Sequence, residues 1–243
     1  MNRYFISFLV IIIAFIVGCN NPTKKAQNTS TVDVDSISIL TNLLISDSLN
    51  ANLLASRAEL YLRKGNIDPA LRDLQAALSL APNDAGLFIL LADIYLVLGQ
   101  TDNSIASLKK AIRLEPANEI PYLKLTEVYL QLDDPTTALR YVDEAISLNS
   151  QNTESYYVKA IGLMAKQDTA AAIINLKISS NLDSSNYMAN MHLGVIYTAS
   201  KDPLSKDYFE KALVARPDDE KALYYLGMYY QKLREFSRAL DKY

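Results

Sequence analysis

Apolar side chains recur three and four residues apart from residue 37 to the end of this 243-residue chain. Leu87, Leu90, Leu91, Ile94, Tyr95 and Leu98 fall on one helical face, and Ile105, Leu108, Ala111, Ile112 and Leu114 fall on the next. Both have the spacing of an amphipathic helix. Gly65 and Gly99 stand between such stretches, where a left-handed residue closes the first helix. Asp68-Pro69 and Asp134-Pro135 read as the N-cap and first-turn proline of the second helix. Pro82, Pro116 and Pro217 end a pair, because the residue before proline leaves the helical region. The pattern predicts one helix pair after another.

The pairs keep a fixed period. Ala77, Ala111 and Ala145 lie 34 residues apart, as do Tyr61, Tyr95 and Tyr129, Pro82 and Pro116, and Leu74 and Leu108. Ser179 and Ser184 continue the frame, whereas Ala212 and Pro217 come 33 residues later. One residue is therefore missing, and the turn near Lys201-Asp202-Pro203 is where a deletion costs least. The units run 51–84, 85–118, 119–152, 153–186, 187–219 and 220–243, the last incomplete. Ahead of them, Ile37, Leu40, Leu43 and Leu44 fit a second helix without its first, an N-terminal cap helix over 36–50. The sequence stops at Tyr243, midway along a helix, and reads as a fragment; pairing of that last helix with a partner is the alternative.

The second unit carries Phe88, Leu91, Ala92, Tyr95, Ser104, Leu108, Ala111 and Pro116 at repeat positions 4, 7, 8, 11, 20, 24, 27 and 32. The third carries Tyr122, Leu125, Thr126, Tyr129, Ala138, Val142, Ala145 and Ser150 at the same positions. The fifth has Asn190, Leu193, Gly194, Tyr197, Ser205, Phe209, Ala212 and Pro217, and the sixth begins Leu223, Leu226, Gly227, Tyr230 and Ala239. The fourth departs most, with Lys159 and Leu163 at positions 7 and 11. These residues resemble the tetratricopeptide repeat over residues 51 to 243. The resemblance implies an all-α fold: a right-handed superhelical α-solenoid of antiparallel helix pairs. Small residues at positions 8, 20 and 27 would let helices approach closely, and large ones at 4, 7, 11 and 24 would fill the gaps. One unit cannot bury its own face, so neighbours must stack.

The other end of the chain is different. Arg3 precedes an apolar run from Tyr4 to Val17, too short to span a bilayer at roughly 20 residues per crossing, and residues 1–18 read as a secretory signal peptide. An uncleaved anchor is the alternative. The run closes on Ile16-Val17-Gly18-Cys19, which resembles the bacterial lipoprotein box. That resemblance implies cleavage before Cys19 and acylation of Cys19, the single cysteine of the chain. Several acyl chains give stable anchoring where one does not. Asn20 rather than Asp at the next position implies, by analogy with enteric bacteria, the outer membrane, facing the periplasm. Residues 19–35 are rich in Asn, Thr, Ser, Lys and Pro and read as a flexible tether, averaging roughly 20–25 Å as a coil.

Charge and chemistry narrow the function. The net charge is −3 and the isoelectric point about 5.3, which leaves no basic footprint for nucleic acid. With one histidine, His192, neither a two-histidine zinc site nor HExxH exists, and a hydrolase triad is a poor expectation. His192 reads as structural or as a surface residue. No glycines are spaced for a dinucleotide or phosphate loop. We therefore expect no enzyme, no catalytic residue, no metal and no cofactor. In tetratricopeptide arrays the first helices line a concave groove, which implies a protein or peptide partner. Glu59, Asp93 and Glu127 share position 9 and would form a carboxylate column for a basic or amide-rich peptide, or a merely solvated one. Tyr157, Met164, Met188, Met191, Tyr224 and Met228 occupy groove positions of the later units, where Met and Tyr suit an adaptable apolar surface; packing between repeats is the alternative reading. The expected function is a lipid-anchored envelope scaffold that assists assembly of an envelope complex. Alternatives are a repeat region of a longer protein with a catalytic or other domain after residue 243, and a docking regulator of a cell-wall hydrolase.

Overall fold

The computed structural model describes residues 26–242. The segment expected to be a signal peptide, Cys19 and the first part of the expected tether lie outside the described residues. Within them there are 13 helices and no strand, the all-α repeat fold expected. The chain divides into two compact units between Gln131 and Leu132.

The first unit holds α1 (Ala26–Ser46), α2 (Ala51–Arg63), α3 (Ile67–Leu80), α4 (Ala85–Val97), α5 (Thr101–Leu114) and α6 (Ile120–Gln131). The second holds α7 (Pro135–Leu148), α8 (Thr153–Ala165), α9 (Thr169–Leu182), α10 (Tyr187–Ala199), α11 (Leu204–Ala215), α12 (Glu220–Lys232) and α13 (Phe236–Leu240). Inside each unit every helix packs against the next in sequence, and helices two apart also touch at α2 with α4 and at α10 with α12. Short connections make such neighbours antiparallel.

α1 begins at Ala26, within the segment assigned by composition to a tether, and ends at Ser46 rather than residue 50. Low apolar content argues against a buried core, not against helix: once a helix has nucleated, each further residue costs little. Asn50 is instead the N-cap of α2, accepting from the Leu53 amide at 3.1 Å. Asp84, Asn152, Asn186 and Asp219 cap the later first helices in the same way.

The turns inside the pairs explain the period. Gly65, Gly99, Asp133, Gln167 and Lys201 all have positive φ and follow one another at 34 residues. At Gly65 the amide donates to Leu62 O and the Asn66 amide to Tyr61 O, closing two orphan carbonyls of α2. Gln167 and Lys201 repeat that geometry without being glycine. The Ser205 amide reaches Asp202 O three residues back, where Ala138 and Ala172 reach Asp134 O and Asp168 O four residues back. The deletion is absorbed in a tightened first turn of α11. The turns also correct one expected cap. Asp134 does cap α7, with Pro135 in the first turn, but α3 starts two residues before Pro69 with Asn66 as N-cap, and Asp68 lies in its first turn. Asn66, not Asp68, stands 68 residues before Asp134.

Close helix contact rests on the small positions. Ala70, Ser104, Ala138, Ala172, Ser205 and Ala239 are buried, as are Ala77, Ala111, Ala145, Ser179 and Ala212. Beside them Leu74, Leu108, Val142, Leu176 and Phe209, at position 24, are fully buried. Position 4 carries a recurring hydrogen bond: Tyr122, Tyr156 and Asn190 donate to the carbonyls of Pro116, Ser150 and Ser184, each six residues back. Asn190 is buried, and its Oδ1 accepts from Ser180 Oγ at 2.7 Å, so the shorter side chain leaves no orphaned polar atom there.

Candidate partner-binding surfaces

The first unit contains the acidic positions of α2, α4 and α6. They do not form a column of open carboxylates. Lys124 Nζ, at position 6 of α6, binds Asp93 Oδ1 of α4 at 2.7 Å. Glu59 is exposed and meets Arg63 one turn on at 3.9 Å. Glu127 is half-buried. With Asp93 neutralised, the stripe loses much of the field that would draw a basic peptide. Nearby, Arg57 holds the buried Asp73 of α3 through Nε and Nη2 at 2.7 and 2.8 Å, and reaches Thr41 of α1 at 3.1 Å. These bonds to Asp73 raise the Arg57 pKa above its ordinary value. This pair ties α1, α2 and α3 together.

The second unit contains the Met and Tyr positions. Tyr157 and Met164 of α8 pack on a core of Ala160, Ala172, Leu176, Ala189, Leu193 and Tyr197. Tyr157 Oη lies 3.3 Å from His192 Nε2, with the rings tilted 54° apart. Burial lowers the His192 pKa to about 4, so the ring is neutral near pH 7. Met188 is half-buried against the core formed by Tyr187, Met191, Phe209, Ala212, Ala222 and Leu226.

Met191 itself is only 6% exposed. That corrects its assignment to the groove, because position 5 of α10 is covered by α11 and α12. Tyr224 and Met228, one turn apart on α12, are 54% and 41% exposed. Of the six, these two are open enough for a partner to reach.

Some partners were not expected from the sequence. Lys159, half-buried at position 7, binds Asp143 of α7 at 2.7 Å. Arg57 also stands at position 7, where the repeat resemblance calls for Leu. A cation in an apolar position was the available signal that a carboxylate must lie opposite. Among the described residues, no group of three or more His, Cys, Asp or Glu side chains could hold a metal ion, and no helix is long and apolar enough to cross a membrane.

Residues 92–133 match a family model described as TPR repeat, and residues 24–111 match one described as Chs5p-Arf1p-binding proteins. No curated protein matches the chain by sequence. Among solved structures, pilF of Pseudomonas aeruginosa superposes with a TM-score of 0.71 at 13% identity, over 79% of this chain and 88% of that one. The C-terminal part of a TPR repeat-containing protein from Cytophaga hutchinsonii gives 0.62 at 16% identity, over 88% and 89%. YrrB, a TPR protein with an unusual peptide-binding site, gives 0.53 at 22% identity, over 76% and 95%. With the 34-residue frame and the matched segment, these likenesses make the chain an all-α helical repeat protein with the tetratricopeptide-repeat fold.

Proposed function

We propose that the chain is a lipid-anchored scaffold of a bacterial cell envelope, most simply the outer membrane facing the periplasm, whose repeats hold a protein or peptide partner during assembly of an envelope complex. The observation that carries the binding half is the Tyr224–Met228 face on a first helix, where a tyrosine and a methionine one turn apart are 54% and 41% exposed. A tyrosine and a thioether at that spacing offer adaptable apolar contact area. The peptide-binding site named for YrrB supports a peptide ligand for this fold. The anchoring half is supported by the Ile16-Val17-Gly18-Cys19 run.

A photo-reactive residue placed at Tyr224 or Met228 in the full chain is expected to capture a discrete protein in cells. Capture of nothing at both positions removes the binding half. Cys19→Ala is expected to move the protein out of the membrane fraction; retention there removes the anchoring half and points to an uncleaved anchor.

A further inference from the structure

α4 is apolar nearly all round. From Ala85 to Val97 its single charged residue is Asp93. Such a helix is usually enclosed on every side. Here Val97 is 62% exposed, and Ile89 and Leu96 are half-buried, so one side stays open. Ile89, Asp93 and Val97 follow at successive turns and share that side. On α6, Ile120, 47% exposed, stands one turn before Lys124 on a common face. Lys124 Nζ donates to Asp93 Oδ1 at 2.7 Å and joins the two faces. α4 and α6 run in the same direction, each antiparallel to α5 between them, so Ile120 comes level with Ile89. The result is one surface inside the first unit: an apolar end at Ile89 and Ile120, an ion pair in the middle and an apolar end at Val97.

The ion pair selects what can lie across it. Both side chains are 30% exposed, and the bond between them is the one hydrogen bond either makes among the described residues. An ammonium has three donors and a carboxylate about four acceptor sites, so both retain capacity. A charged side chain laid here meets a like charge whichever sign it carries: Lys124 opposes a cation and Asp93 an anion. Glu127, on the next turn of α6, is half-buried and already engaged. Backbone amides and carbonyls carry no net charge and satisfy both groups at once. A helical ligand spends those groups internally, whereas an extended one leaves them free. Ile89 and Val97 are eight residues apart on α4, about 12 Å along the helix. In an extended segment, side chains four residues apart lie on one face about 13 Å apart. We infer that this face docks an extended peptide segment with two apolar side chains four residues apart and uncharged residues between them. It rests on the reading of the chain as a peptide-binding scaffold, but on a surface separate from Tyr224 and Met228.

The test selects a random heptapeptide library displayed on phage against the detergent-solubilised full chain. Selected peptides are expected to carry large apolar residues four apart with no Asp, Glu, Lys or Arg between them. A synthetic peptide of the selected sequence should bind about tenfold more weakly to Val97→Ser and to Ile120→Ser, each of which removes one apolar anchor. Both residues are exposed, so the fold tolerates the changes. Repeating the selection on Lys124→Ala should bring basic residues into the middle positions, because Asp93 then lacks its cation. Failure to enrich any sequence overturns the inference. So does enrichment of peptides with charged middle residues on the native chain, equal binding to Val97→Ser and Ile120→Ser, or a selection indifferent to Lys124→Ala. Binding lost only on a chain carrying Tyr224→Ser and Met228→Ser would sink this inference and leave the surface proposed above standing. Binding lost only on Val97→Ser and Ile120→Ser, while Tyr224 and Met228 capture nothing in cells, would do the reverse.

Discussion

Gly194 of α10 lies against the Phe209 ring of α11. A Cβ built there would lie 2.5, 2.7 and 2.8 Å from three ring carbons of Phe209. Carbon atoms in contact prefer about 3.5–4.0 Å, so the ring would have to retreat by about 1 Å. Phe209 has no exposed surface, and its ring stacks on Tyr225 at 5.0 Å between centroids and 1° between planes. Any shift is therefore passed on to α12. For Gly194→Ala, overpacking costs about 1–3 kcal/mol, and the better helix propensity of Ala returns about 1 kcal/mol. The expected net loss is about 1 kcal/mol, with the helix gain masking part of a larger clash. A cycle with Phe209→Leu separates the two. Phe209→Leu alone should destabilise by opening a cavity. In the Gly194→Ala background it should cost at least about 1 kcal/mol less, because contacting sites couple. The measurement is urea unfolding of residues 36–243 followed by circular dichroism. Repeat arrays depart from two-state behaviour, so hydrogen exchange of the α10 and α11 amides would locate the change. A Gly194→Ala protein stabilised by the full helix gain, or a coupling energy near zero, would refute the reasoning.

Three other outcomes are expected. Ser104→Ala should stabilise by about 0.5–1 kcal/mol in thermal unfolding, because the buried Ser104 hydroxyl has no partner among the described residues and position 20 otherwise favours Ala. Gln167→Gly should stabilise by about 1 kcal/mol, since a side chain at φ 62° carries the left-handed penalty that Gly65 and Gly99 avoid; chemical unfolding measures it. Stability should fall as pH drops from about 6.5 to about 4. The unfolded chain protonates His192 near 6.5 and the folded chain only near 4, so over that window the unfolded state binds more protons. His192→Gln should remove about 3 kcal/mol of that loss at most, and an unchanged pH profile would contradict the neutral ring.

The sequence alone determined the repeat. A 34-residue spacing of Ala, Tyr and Pro needs no coordinates to detect, because every unit must solve the same packing problem with the same side chains. It also indicated where the missing residue lies, since a turn is the cheapest place to lose one. Local capping was legible where side chain and frame agreed, as at Asp134-Pro135, and misread at Asp68, where the dipeptide matched but the frame did not.

The surface was another matter. Position 9 places Glu59, Asp93 and Glu127 in one row, but Lys124 comes from the next repeat to neutralise Asp93, a contact across 31 residues that periodicity does not encode. Met191, Tyr224 and Met228 all occupy groove positions in the sequence. Only the packing of α11 and α12 decides that the first is core and the other two are surface. Helix period depends on side chains a turn apart, whereas exposure depends on what a different helix happens to cover.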